Sequence, residues 1–333
     1  MPPLGIPPKG IPPTDRVGYQ DLVARGKQRP LAWFDVREFG TSGDGNHDDA
    51  PAIQRAVAAA GKAGGGRVYL PAGTYNLESQ VSIDDEDVWI VGAGRRTIVS
   101  RAGTTGHAFV FGGSADRGAV IDMNITRSTG ATAGAAVRVE AGQNSMLIRD
   151  VYASYFFKGI ELVNCTNCFI RGGSHFHNES AAGSVGIEIN GAGEHWISDW
   201  KGSRGVTSNS KGIYIHSTAA KVEGIRISNF SIIGGGLNGI DIQGNSSNKV
   251  MFVHIANGDI GEQSSYGISI DDSPTVDVQY ITITGISVIS SNAAGIYIGQ
   301  ACNDIVVGAC IIVTSQSAGI LVRGNQVAIT GCD

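Results

Sequence analysis

The chain has 333 residues, a formal net charge of −5 and 48 glycines. An acidic balance with no basic stripe argues against a nucleic-acid partner. No apolar run approaches the ~20 residues of a membrane-spanning helix, so a soluble chain without membrane insertion is expected.

Residues 2–13 carry six prolines in the near-repeat Leu4-Gly5-Ile6-Pro7-Pro8-Lys9-Gly10-Ile11-Pro12-Pro13. Proline fixes φ and removes donors, so this stretch is extended and has no core of its own. It lacks the basic start and apolar centre of a secretory signal. Residues 14–28 fit a short amphipathic helix with Val17, Leu22 and Val23 on one side. Residues 1–33 read either as a disordered leader or as an attachment arm that docks on a neighbouring subunit.

Residues 34–77 change character. They run from Phe34-Asp35-Val36 through Phe39-Gly40, Gly43-Asp44-Gly45 and Asp48-Asp49 to Ala52-Ile53-Gln54, and close on Gly65-Gly66-Arg67-Val68-Tyr69-Leu70-Pro71-Ala72-Gly73-Thr74-Tyr75. The middle predicts a helix. Asp48 and Asp49 cap its start, Pro51 is tolerated in its first turn, and Ile53, Val57 and Ala60 form an apolar stripe. Such a helix is suited to covering the open first coil of a stacked-strand fold, whose edges otherwise aggregate.

From residue 78 to 333 the chain reads as a solenoid, and its bare last strand implies that the solenoid continues past Asp333 or that another subunit covers this end. Val81–Ile83 and Val88–Gly92 read as strands. Residues 108–111 and 136–139 are early copies of a strand that then recurs seven times, at Gly159-Ile160, Gly186-Ile187, Gly212-Ile213, Gly239-Ile240, Gly267-Ile268, Gly295-Ile296 and Gly319-Ile320. These glycines are 27, 26, 27, 28, 28 and 24 residues apart. In Gly-Ile-x-Ile both aliphatic side chains fall on one face, and one such strand cannot bury that face alone. Stacked in parallel at roughly 4.8 Å, the isoleucines form a continuous interior column. Each period adds a second apolar run, such as Ile225-Arg226-Ile227 or Ile281-Thr282-Ile283, and some a third, such as Ser287-Val288-Ile289. Two or three short strands per period describe an all-β fold, a parallel β-helix. A leucine-rich repeat would need Leu at fixed spacing and often a helix per repeat, and neither is visible.

The five cysteines are an odd number. Cys310 and Cys332 occupy corresponding places in successive coils and read as inward thiols, not as a disulfide framework. Cys165-x-x-Cys168 lacks the second pair or histidine that a zinc site needs, so both are read as turn and core residues. No metal or cofactor is expected.

The stretch 34–77 resembles the N-terminal signature of the pectate-lyase-like superfamily of right-handed parallel β-helices. The resemblance covers about forty residues and implies the fold, not one activity; lyases, polygalacturonase relatives, alginate epimerases and bacteriophage tail-spike depolymerases share it. Asp44, Asp48 and Asp49 are therefore assigned to structure.

The repeat also gives surface coordinates. Two residues beyond each anchor glycine lie Glu161, Glu188, Tyr214, Asp241, Ser269, Tyr297 and Leu321; two further lie Val163, Asn190, His216, Gln243, Asp271, Gly299 and Arg323. These are outward ladders. Glu161, Glu188 and Asp241 are the candidate catalytic carboxylates, because glycoside hydrolysis needs two carboxyl groups at short separation. Tyr214, His216, Asp271 and Tyr297 are the candidate substrate contacts, the rings for stacking on sugars and His216 for proton transfer near neutral pH. The competing reading is a solvent-facing ladder with no catalytic role.

Asp271-Asp272 is similar to the paired aspartates of polygalacturonases, without that family's companion motifs. The segment 172–183, with His175, His177 and Glu179, and the run His195-Trp196 to Asp199-Trp200 read as further carbohydrate contacts. Among family members, the proline-rich arm and the β-helix shaft are most similar to bacteriophage tail-spike or minor tail proteins. That resemblance implies a virion location, a homotrimer, contact with other tail proteins through the arm, and a cell-surface polysaccharide as partner. The alternatives are a secreted polysaccharide lyase, glycoside hydrolase or epimerase, and a non-catalytic adhesive β-helix.

Overall fold

The structure is a computed structural model that describes residues 32–127, 131–176, 183–203, 209–234, 236–245, 247–270 and 278–333. Residues 1–31 of the arm, His177, Glu179, Asp271 and Asp272 lie outside the described residues.

Among the described residues every strand pair is parallel, and strands inside the stack pair with their counterparts in the coils above and below. Three sheets run along the solenoid. The first holds the Gly-Ile strands in the register the repeat predicts: Ile160 pairs with Ile187, Ile187 with Ile213, Ile213 with Ile240 and Ile240 with Ile268. Phe109 and Val137 extend this column toward the N-terminus. The second sheet stacks Ile170, Ile197, Ile227, Ile255 and Ile283 inward. The third carries Ile232, Ile260 and Val288. All of these side chains are buried in one continuous core.

The anchor glycines have a steric reason. A Cβ on Gly212 would lie 2.5 Å from the Gly239 carbonyl oxygen and 2.6 Å from Ile232 Cγ2. Gly159, Gly186, Gly239, Gly267 and Gly295 meet the same kind of contact with the carbonyl of the next coil's glycine. At this corner the third sheet's inward side chain presses on the first sheet's backbone, leaving no room for a methyl group.

The other corners turn in a left-handed backbone conformation. One column, at the entrance to the second sheet, is Gly65, Asp87, Arg117, Ser145, Asn167, Glu194, Gly224, Phe252, Tyr280, Asp304 and Gln326, all with positive φ. A second, between the second and third sheets, is Asp122, Asp150, Gly172, Asp199, Asn229, Asn257, Gly285, Ala309 and Gly331. Asn and Asp tolerate this region, but Phe and Tyr do so only where the stacking of coils over-determines the backbone.

The expected helix spans Ala50–Lys62. Its buried residues include Ile53, Ala56, Val57 and Ala60, and they pack on the strands Ala32–Asp35, Gly66–Leu70 and Val81–Ile83. The two aspartates divide their work differently from expectation. Asp48 Oδ1 accepts from Ala50 N at 3.1 Å, while the Asp49 carboxylate turns away and accepts from Ser42 N at 2.7 Å and Gly43 N at 3.2 Å. Asp44 holds its own turn, accepting from the backbone of Asn46 and His47.

Cys165 and Cys168 are buried with their sulfurs 3.6 Å apart and unbridged. Residues 185–198 form one long strand. Within it His195 faces the core and Trp196 faces out, and Trp200 is buried beyond it. No described helix is long and apolar enough to cross a membrane.

Candidate functional site

The first sheet brings the expected ladder together. Glu161 pairs with Glu188, Glu188 with Tyr214, Tyr214 with Asp241, Asp241 with Ser269, and Ser269 with Tyr297. These side chains lie on the side of the strand opposite the isoleucines. They are nevertheless covered: Glu161, Glu188 and Asp241 are 5%, 7% and 1% exposed. The expectation of a solvent-facing ladder does not hold, because cations from neighbouring strand positions fold over the carboxylates.

Lys158 Nζ sits 2.5 Å from Glu161 Oε1 and 2.9 Å from Glu188 Oε2, bridging the pair that would otherwise repel. Arg138 Nη1 adds a 2.6 Å contact to the other oxygen of Glu161. Lys211 Nζ lies 2.7 Å from Asp241 Oδ2, which Gln243 also reaches at 3.2 Å. Asp241 Oδ1 is buried without a hydrogen-bond partner.

Burial alone would raise the Glu188 carboxyl. Its hydrogen bond to His216 and its contact with Lys158 together outweigh that penalty and hold it below the usual glutamate range. Lys158 is desolvated too, yet the two carboxylates lift it above the ordinary lysine value. Glycosidic hydrolysis needs one carboxyl that carries a proton near neutral pH. Glu188 is held as an anion, and Lys158 and Arg138 together set two cations against the two carboxylates.

The expected sugar-stacking rings are also engaged. Tyr297 is buried and stacks on Tyr266 at 4.8 Å. Tyr214 is stacked at 4.2 Å on His216, has Lys211 Nζ 3.4 Å over its ring, and donates to Gln243 Oε1 at 2.8 Å. His216 bonds Glu188 on one side and, through Nδ1, approaches the exposed Thr218 hydroxyl at 3.0 Å. Thr218 was not among the sequence candidates. It lies beyond the strand end, where the Gly-Ile repeat assigns no position.

A second outward column crosses the second sheet. Phe169, Trp196, Arg226 and His254 are successive partners there. Phe169 and Trp196 stack at 4.7 Å, and Arg226 lies 5.4 Å over the Trp196 ring. At the adjoining corner Phe252 and Tyr280 stack at 5.0 Å. Phe169, Phe252 and Tyr280 are 38%, 46% and 45% exposed. Sequence reading noticed only Trp196, because the aromatic residues sit at unrelated positions until register aligns them.

A family model described as rhamnogalacturonase A/epimerase, pectate lyase-like, matches residues 33–321. The chain belongs to this pectate-lyase-like family of right-handed parallel β-helices. Alginate lyase 7 of Azotobacter vinelandii is 48% identical over 67 residues, which are 18% of this chain and 8% of the lyase. The chain thus spans a small part of that relative's length. PfbA, a surface adhesin of Streptococcus pneumoniae, superimposes with a TM-score of 0.57 at 15% identity, covering 91% of this chain and 93% of the adhesin. The enzymatically active domain of bacteriophage CBA120 tailspike protein 2 superimposes with a TM-score of 0.66 at 13% identity, covering 89% of this chain and 47% of that one.

Proposed function

We propose that this β-helix is a bacteriophage tail-spike or minor tail protein that binds host cell-surface polysaccharide along its second sheet. The observation that carries the proposal is the set of exposed rings Phe169, Phe252 and Tyr280 with the half-buried Trp196, alongside Arg226 and His254. Clustered exposed apolar surface of this kind marks an interaction site more often than a free surface. Rings stacked along the axis present their edges outward, and ring edges are electropositive, so they favour contact with the oxygens of a polyol. Arg226 and His254 add hydrogen-bond donors between the two stacks. Cations and anions are mixed across this face, with Arg226 beside Glu194 at 3.7 Å and Arg171 beside Asp199 at 3.7 Å. That balance suits a weakly charged glycan better than a polyanion.

The family match and the likeness to a phage tailspike and a bacterial adhesin support this reading, as does the short match to an alginate lyase. A virion location, a homotrimer, and docking to other tail proteins through residues 1–33 belong to the same proposal. The test is titration calorimetry of the chain against a panel of bacterial surface polysaccharides, with light scattering for the oligomer. Trp196→Ala and the double variant Phe252→Ala/Tyr280→Ala should each weaken binding about tenfold, or ~1.4 kcal/mol. Unchanged affinity in both variants would remove the strip from the function.

A further inference from the structure

Glu188, His216 and Thr218 form a hydrogen-bonded line from the buried sheet to the surface. Glu188 Oε1 is 2.9 Å from His216 Nε2, and His216 Nδ1 is 3.0 Å from Thr218 Oγ1. Glu188 and His216 are buried while Thr218 is exposed. In the neutral ring, an Nε2–H that donates to Glu188 leaves Nδ1 as the acceptor facing the hydroxyl. The same hydroxyl donates to Asn190 Oδ1 at 2.8 Å, an oxygen fixed in orientation by the Ala219 backbone N–H at 2.9 Å. The hydroxyl has one proton, which Asn190 Oδ1 at 2.8 Å and His216 Nδ1 at 3.0 Å share as alternative acceptors, and rotation of the hydroxyl aims it at the imidazole. A base within reach of a hydroxyl, oriented by a buried carboxylate, is the arrangement that activates an oxygen nucleophile.

We propose that Thr218, His216 and Glu188 hydrolyse ester substituents, removing O-acyl groups from the polysaccharide that the chain binds. The substrate class rests on the glycan-binding reading above; the relay itself does not. Thr218 Oγ1 attacks the acyl carbon as its proton passes to His216 Nδ1. The bond from the acyl carbon to the sugar oxygen breaks, and that oxygen takes the proton from His216. Water, deprotonated by the same nitrogen, then attacks the acyl-threonine, releases the carboxylic acid and restores the hydroxyl. Glu188 stays ionised and stabilises the imidazolium in both halves.

The experiment uses the full chain with 4-nitrophenyl acetate and with a chemically O-acetylated polysaccharide, following nitrophenolate and acetate. The wild type should release both faster than the same concentration of free imidazole. Thr218→Val should lose at least about a hundredfold, the scale of a removed base-activated step, while Thr218→Ser retains activity. The peptide carrying Thr218 should gain one acetyl group under acid quench. Thr218 is exposed, so its variants are expected to fold, which circular dichroism checks. Nitrophenyl acetate cleavage no faster than imidazole, or equal rates in wild type and Thr218→Val, overturns the relay whatever the polysaccharide binding shows. Loss of binding in the Trp196 and Phe252/Tyr280 variants with nitrophenyl acetate cleavage intact shows that the two readings stand separately.

Discussion

Replacing Gly212 by alanine tests the packing of the solenoid. The new methyl carbon would sit 2.5 Å from the Gly239 carbonyl oxygen and 2.6 Å from Ile232 Cγ2. Neither can withdraw: the carbonyl belongs to the next coil's backbone, and Ile232 is buried in the core. Overpacking of this kind costs about 1–3 kcal/mol. Alanine also removes backbone freedom from the unfolded chain, which offsets about 0.4–1 kcal/mol. The expected net loss is about 1–2 kcal/mol. Gly319 occupies the same place in the repeat, but in this chain its nearest neighbour is Ile312 at 3.9 Å. Gly319→Ala should therefore be neutral or slightly stabilising. Urea unfolding followed by circular dichroism measures both variants. Equal shifts at the two positions, or a stabilised Gly212→Ala, would refute the claim that coil-to-coil contact demands the glycine.

Glu188→Gln leaves Lys158 with Glu161 as its only close carboxylate among the described residues, and should destabilise the chain by about 3 kcal/mol at pH 7, the low end for a broken buried pair. Because the folded Glu188 carboxyl lies below its unfolded value of about 4.3, its contribution is full above that pH and disappears as pH falls through the folded value. The variant should accordingly show a shallower loss of stability below about pH 4.3 in acid titrations of the unfolding midpoint. His195 behaves oppositely to a paired residue: burial pushes it down to about 3. The unfolded chain therefore binds a proton that the fold refuses, and stability should fall by about 1.4 kcal/mol per pH unit from about 6.5 downward. His195→Leu should remove that slope, while costing about 1–3 kcal/mol at pH 7 because Cys168 N–H loses its acceptor. Of the five thiols, only Cys332 is not buried. Native protein should then react with an aromatic disulfide reagent at that one position, and rapid labelling of Cys165 or Cys168 would show the core to be open.

The fold was legible because its signal is periodic. Gly-Ile-x-Ile at a near-constant spacing specifies strand, inward face and stacking register together, and the observed pairing of Ile160, Ile187, Ile213 and Ile240 follows it residue by residue. The same arithmetic correctly aligned Glu161, Glu188, Tyr214 and Asp241. It failed on their exposure. Lys158 and Lys211 belong to the inward-facing parity of their strands, so a strict alternation rule placed them away from the carboxylates they pair with. The unpaired glycine that follows each lysine relaxes that alternation at the corner. The aromatic strip was hidden for another reason. Phe252 and Tyr280 stand at left-handed corners that sequence propensity assigns to glycine or asparagine.

What the sequence determined by itself was the architecture: a repeating strand with one apolar face has a single economical way to bury it, by stacking on copies of itself. What only the tertiary structure decided was the chemistry of the surfaces. Whether a carboxylate meets water or a lysine, and whether a hydroxyl such as Thr218 meets a histidine, depends on side chains that are neighbours across coils and distant along the chain. Those encounters are fixed by corner geometry and by the ~4.8 Å step between coils, and no single period of the repeat contains them.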